Sequence, residues 1–160
     1  MRIAPETEDD WWEVEALYDL AFAPGREALS SYRLRDGVAP VPGLCLVARD
    51  DTGALSGAVR LWPEQVAGHD ALLLGPIAVH PTRQGEGLGA VLMGECLERA
   101  RESGWARVLL VGDFAYYRRF GFRKLPDVRM PPPTNPDRVL GVSLAVPGWS
   151  GVAGPVEKSA

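Results

Sequence analysis

Apolar positions along the chain alternate between helical and strand-like spacing, and their order predicts a mixed α/β unit. Residues 1–4 predict a short first strand. Thr7 followed by Asp10 resembles a capping box, after which Trp11, Val14, Leu17, Tyr18, Ala21 and Phe22 recur at helical spacing until Pro24-Gly25. A weaker helical stretch covers residues 26–34. Strands are predicted over 44–48 and 55–62, joined by the turn residues Asp50-Asp51-Thr52-Gly53. Residues 71–79 form a longer apolar run, suited to the centre of a sheet. Residues 88–103 return to helical spacing, with Leu88, Val91, Leu92, Cys96 and Ala100 on one face and Gly104 as the stop. A buried strand over 107–111, a short helix over 114–120 ended by Gly121, and strands over 122–125 and 139–145 around a Pro-rich loop, 126–136, complete the pattern. No internal repeat or long linker interrupts it, so the whole chain, 1–160, reads as one domain.

Composition narrows the classes. With 46% hydrophobic and 24% charged residues, the chain is ordinary for a soluble globular protein. A net charge of −4 argues against nucleic acid as the partner, since such surfaces are basic. No window approaches a membrane span, and the acidic N-terminus (Glu6, Glu8, Asp9, Asp10) lacks the apolar core of a secretion signal. A cytoplasmic location without membrane association is the expectation. Cys45 and Cys96 each lie inside an apolar segment and read as buried free thiols. No metal-ligand spacing is present, so no metal site is expected.

The chemistry concentrates in Arg83-Gln84-Gly85-Glu86-Gly87-Leu88-Gly89, between the apolar strand and the long helix. Glycines leave backbone N–H groups unshielded where a helix N-terminus offers unpaired donors and a positive dipole end, an arrangement that binds phosphate or pyrophosphate. A nucleotide P-loop is excluded because no Gly-Lys-Ser/Thr closes the run. A dinucleotide fingerprint matches Gly85-x-Gly87-x-x-Ala90 with Asp113 at the end of the next strand. Against it, His80 to Gln84 and a proline separate strand from glycines, and the chain after Asp113 is not βαβ-like.

The segment Val79-His80-Pro81-Thr82-Arg83-Gln84-Gly85-Glu86-Gly87-Leu88-Gly89 resembles the cofactor motif of the GNAT superfamily of N-acetyltransferases, with Gln84, Gly87 and Gly89 at its defining positions. Downstream, Tyr116-Tyr117-Arg118-Arg119-Phe120-Gly121-Phe122 is similar to the family's Tyr-x-x-x-Gly-Phe segment. Val111-Gly112-Asp113-Phe114-Ala115, the opening Pro5-Glu6-Thr7 and the late Gly154-Pro155-Val156 resemble a branch of small bacterial predicted acetyltransferases. The chain departs from many members at Leu110 and Asp113, where they carry Asn and Ala.

The resemblance implies an α/β (α+β) fold with a mixed, partly splayed sheet of about six to seven strands flanked by about four helices. It also implies acetyl transfer from acetyl-coenzyme A directly to a primary amine of a small molecule or peptide. Backbone groups from Gln84 through Gly89, that is Gln84, Gly85, Glu86, Gly87, Leu88 and Gly89, would hold the pyrophosphate, and the strand backbone at Ile77, Ala78 and Val79 would pair with the pantetheine arm. Arg83 is a further candidate for a phosphate, with a solvated surface arginine as the alternative, while Glu86 points to water. Tyr117 occupies the position of the family's general acid, leaving Tyr116 as the aromatic that packs the short helix.

For the base, the titratable residues nearest the proposed site are Glu64, Asp113 and His80; Glu64, placed just beyond its strand, could act through water. Trp11, Trp12 and Trp62 are candidates for an acceptor pocket or for core, and the acceptor would lie between residues 22–32 and the loop 126–136. A non-catalytic acyl-coenzyme A-binding module and an NAD(P)-binding protein stand as rivals, and a homodimer is compatible with all three.

Overall fold

The computed structural model of the protein describes residues 1–22 and 34–159. The chain opens with strand β1 (Arg2–Pro5). At the turn that follows, the Asp10 carboxylate accepts the Thr7 N–H at 2.8 Å and the Thr7 hydroxyl at 3.0 Å. Helix α1 (Trp11–Ala21) buries Val14, Leu17 and Tyr18 on one face. The helix expected over 26–34 lies outside the described residues except for Leu34, as does most of the expected acceptor segment 22–32. Strands β2 (Leu46–Arg49), β3 (Leu55–Val66) and β4 (His69–Val79) follow as an antiparallel meander, with the Asp50 carboxylate holding the first turn through the N–H groups of Thr52 and Ala54.

Helix α2 (Leu88–Glu102) packs Leu88, Leu92, Met93, Cys96, Leu97 and Ala100 on the sheet. Val91, expected on that face, is 53% exposed, because the helix rotates its contact stripe toward Met93 and Leu97. Strand β5 (Arg107–Val111) leads into the short helix α3 (Phe114–Tyr117), then to the two-residue strands β6 (Arg123–Lys124) and β7 (Val128–Arg129), and to β8 (Val139–Ser143) and β9 (Gly154–Lys158).

Among the described residues the sheet has nine strands, in the order β1-β2-β3-β4-β5-β8-β6, with β9 joining β3 to β7. The surplus over the expected six to seven comes from β7 and β9, which carry no apolar run of their own. β9 is possible because β3 is longer than expected: β2 covers the first half of one edge, and Glu64 to Val66 pair with β9 on the rest.

Apolar side chains fill both faces. One core, including Leu46, Val59, Leu61, Leu72, Leu74, Val108, Leu110 and Leu140, lies under α2. On the other face α1 covers Val47, Ala58 and Ala78, while Val128, Met130 and Val152 cover Trp62, Val66, Leu73, Leu109 and Val139. Cys45 and Cys96 are buried free thiols, which burial pushes up to about 11 and about 12. No described helix is long and apolar enough to cross a membrane.

Candidate active site

The site begins with a fault in the sheet. The β3–β4 register slips between Val59–Ile77 and Leu61–Leu74, so Arg60 faces both Gly75 and Pro76 and β4 bulges. Side chains from one face hold this bulge: the Trp62 Nε1–H donates to the Gly75 carbonyl at 2.7 Å, and the Tyr18 hydroxyl donates to the Pro76 carbonyl at 3.1 Å. On its other edge, β4 is paired in parallel with β5 at Leu72–Val108 and Leu73–Leu109. That ladder stops there, while on its other edge β5 stays paired with β8 from Arg107–Ser143 to Val111–Val139. The sheet therefore opens between the second half of β4 and the end of β5. Ala78 packs under α1 while Ile77 and Val79 pack toward α2, so these three residues bring mainly backbone to the opening.

The loop after β4 holds its shape without using the N–H groups from Gln84 to Gly89. His80 Nδ1 accepts the Thr82 N–H at 3.2 Å, and Gln84 Nε2 donates to the Val79 carbonyl at 3.3 Å. Gly85 and Gly87 have φ of 86° and 80°, a backbone region open to glycine at little cost. A Cβ on either would meet nothing within 4 Å, so the cradle is open on that side. None of the N–H groups from Gln84 to Gly89 finds an acceptor among the described residues, and the positive end of the α2 dipole adds to them. A row of donors at a helix start, unobstructed by side chains, matches a pyrophosphate in charge and in hydrogen-bonding capacity.

Arg83 does not stand free at this cradle. Its guanidinium donates to Asp50 Oδ2 at 2.7 Å and lies 3.6 Å from Glu86, so it ties the loop to the β2–β3 turn. Glu86, expected to face only water, is thus also a partner of Arg83.

Across the opening, the Asp113 carboxylate caps α3 by accepting the Ala115 N–H at 3.1 Å. Helix α3 presents two tyrosines at right angles, their ring centroids 4.9 Å apart. The sequence-based assignment of Tyr116 as the packing residue is reversed. Tyr117 is half-buried against the α2 core, its ring lying edge-on to Phe122 at 6.0 Å and close over Gly112, where a Cβ would come within 2.9 Å of Tyr117 Cδ2. Tyr116 is the more exposed of the two, and its hydroxyl lies 3.6 Å from where a Cβ on Gly89 would sit. Burial, reinforced by Tyr116 and Asp113 against Arg138, raises the Tyr117 phenol above its ordinary value, so it keeps its proton at neutral pH.

Glu64 is not beyond its strand but within β3, opposite Ala71 of β4 and Lys158 of β9. The sequence reading missed its burial: it is 1% exposed, and neither carboxylate oxygen has a hydrogen-bond partner among the described residues. Burial pushes it up to about 8, against the opposing pull of Arg35 and Lys158. The other two candidates for a base are engaged elsewhere, His80 in the turn with Thr82 and Asp113 at the α3 cap. Sequence reasoning also missed Arg35, buried and 5.3 Å from the Trp62 ring, and Tyr18 as a clamp of the bulge. A tyrosine on the buried stripe of α1 was the available signal for Tyr18, since a buried phenol needs a partner. Trp62 is core and clamp at once, Trp11 stacks on the Arg60 guanidinium at 3.9 Å, and Trp12, 80% exposed, faces water.

Known proteins are similar to this chain in sequence and in fold. The profile described as the acetyltransferase (GNAT) family matches residues 11–122. An Escherichia coli K12 protein named uncharacterized N-acetyltransferase YhbS is 36% identical over 98% of this chain and 95% of its own length. The 1.55 Å crystal structure of Escherichia coli YhbS in complex with CoA superposes with a TM-score of 0.84 at 34% identity, covering 99% of this chain and 89% of that one. A GNAT-family acetyltransferase from Brucella melitensis in complex with acetyl-CoA gives a TM-score of 0.73 at 28% identity, over 99% and 96% of the two chains. With its glycine cradle, opened sheet and paired tyrosines, this chain belongs to the GNAT family of acetyltransferases and is an acyltransferase.

Proposed function

We propose that this chain is one GNAT-like domain that moves an acetyl group from acetyl-coenzyme A directly to a primary amine, in a ternary complex and without an acyl-enzyme. The observation that carries the reading is the row of unused N–H groups from Gln84 to Gly89 beside the opening between β4 and β5. Two similar proteins hold coenzyme A or acetyl-coenzyme A in their crystal structures, which supports this co-substrate for the present chain. When bound, acetyl-coenzyme A supplies an activated acetyl thioester. The N–H row binds its pyrophosphate, and the edge backbone of Ile77, Ala78 and Val79 pairs with its arm.

Tyr117 supports the leaving sulfur. A phenol near pKa 10 giving its proton to a thiolate near 8.5 is uphill by about 2 kcal/mol, and burial of Tyr117 makes this steeper. Its hydroxyl thus acts mainly by donating a hydrogen bond. Glu64 takes the proton of the acceptor ammonium. It lies four strand positions from the register of Gly75, roughly 13 Å at strand rise, so the proton passes through water. The buried thiols of Cys45 and Cys96 are protonated at neutral pH, which removes support for a covalent route.

A thermal-shift comparison tests the reading: acetyl-coenzyme A and coenzyme A are expected to raise the Tm, and NAD(P) to leave it unchanged. Stabilisation by NAD(P) alone would refute the proposal. Binding of acetyl-coenzyme A without turnover on a broad panel of amines, polyamines, aminoglycosides and peptide N-termini would favour a non-catalytic binding module. We assign the acceptor to the class of amines, and neither nucleic acid nor membrane to the partners.

Glu64→Gln gives a pH test. With the carboxyl at about 8, only a minority is ionised at pH 7, so kcat/KM of the wild type rises through about pH 8. The variant is expected to lose that inflection and roughly tenfold in rate, keeping only the limb of the amine itself. Stability runs the opposite way with pH. A carboxyl raised from 4.5 to about 8 favours the protonated fold, so its contribution is complete below pH 4.5 and is lost as pH rises through 8. Through this group alone the wild type should lose roughly 3–5 kcal/mol between pH 4.5 and 8, a component absent in Glu64→Gln. Parallel stability profiles for the two proteins would remove Glu64 from this role.

A further inference from the structure

The Tyr116 hydroxyl has no task in the fold. Among the described residues it has no hydrogen-bond partner, although its ring is held firmly. Tyr117 lies edge-on at 4.9 Å, Phe120 at 5.6 Å, and the Arg119 guanidinium stacks 4.5 Å from the ring centroid while donating to the Tyr116 carbonyl at 2.9 Å. A rigid phenol with an idle hydroxyl therefore reaches across the opening. It ends 3.6 Å from the Cβ position of Gly89, at the start of α2, and beside the N–H row. The neighbouring Leu110 turns its apolar side chain into the core under α2 and brings no polar group to this wall. Val79 Cγ2 stands 3.7 Å from the same Gly89 Cβ position. The Tyr116 hydroxyl thus stands at the start of α2, on a ring in contact with that of Tyr117.

Resting on the proposed function, we propose that Tyr116 is a binding residue for the donor, its hydroxyl hydrogen-bonding an amide carbonyl of the pantetheine arm between pyrophosphate and thioester. Its effect falls on donor affinity rather than on the chemical step, which belongs to Tyr117. Gly89 is the other half of the arrangement. A methyl group there would occupy ordinary contact distance to both Tyr116 Oη and Val79 Cγ2, 3.6 and 3.7 Å, so the fold tolerates it while the passage narrows.

The test compares two ligands by isothermal titration: coenzyme A, and adenosine 3′-phosphate 5′-diphosphate, which has the pyrophosphate and nucleotide but no arm. Tyr116→Phe keeps the ring and its packing. It is expected to weaken coenzyme A about 3- to 10-fold, as for one neutral hydrogen bond, and to leave the armless nucleotide unchanged. Gly89→Ala should show the same selectivity. An equal loss for both ligands would place the hydroxyl on the pyrophosphate and overturn the assignment. So would unchanged affinity for both, or a fall in kcat at constant donor KM. A wild-type chain that binds neither ligand would overturn the proposed function as well, whereas wild-type binding with an indifferent Tyr116→Phe sinks this inference alone.

Discussion

Gly87→Glu is expected to abolish coenzyme A binding, lowering affinity by more than about 100-fold while the protein stays folded. Two effects act together. Gly87 has φ of 80°, and an L-residue held there pays roughly 1–2 kcal/mol. The new carboxylate would also stand among the N–H groups meant for the pyrophosphate, and two like charges near 4 Å at a protein surface repel by about 4 kcal/mol. Space is not the obstacle, since a Cβ at this position meets nothing within 4 Å. Gly87→Ala separates the two contributions, because it carries the backbone cost alone and should weaken binding by no more than about 30-fold. Titration calorimetry with coenzyme A, alongside circular dichroism for the fold, reads both. Wild-type affinity in a folded Gly87→Glu protein would remove the cradle as the pyrophosphate site.

Tyr117→Phe should lower kcat by about 100-fold and change coenzyme A affinity less than twofold. The ring remains, so the edge-on contacts with Tyr116 and Phe122 and the cover over Gly112 survive. Only the hydroxyl is lost. Because burial holds that phenol protonated, the deficit should be constant from pH 6 to 9 rather than growing at one end. This sets it apart from Glu64→Gln, whose deficit follows ionisation near pH 8. Stopped assays of released thiol, made once an acceptor is identified, measure it. A rate equal to wild type would take Tyr117 out of the mechanism.

The contrast between Tyr117 and Tyr116 shows how far a motif reaches. Spacing from Gly121 singled out Tyr117 and put it on a short helix, where the structure has it. It could not say which of two adjacent tyrosines faces the core, since a short helix offers no periodicity to phase. That orientation comes from Phe122 and Gly112, which make a bed for one ring only. Glu64 teaches a related lesson. Pro63 and the polar pair Glu64-Gln65 look like a strand end, yet β3 runs to Val66 because β4 and β9 pair with both its edges.

What the amino-acid sequence determined by itself is local. The α2 stripe, the Asp50 turn and the glycine cradle each depend on residues within a few positions of one another, where side-chain shape and backbone freedom act without distant help. Tertiary structure alone decided what depends on separated segments meeting. The β4 bulge needs Tyr18 from α1 and Trp62 from β3 to hold its carbonyls. The opening exists because the β4–β5 ladder ends at Leu73–Leu109 while β5 stays paired with β8 to Val111. Strand β9, with only Val156 buried, has no apolar pattern to announce it and forms because β3 leaves an edge to pair. Glu64 has its raised value because three strands close around it, and burial of a charge is a property of the assembled fold rather than of any stretch of chain.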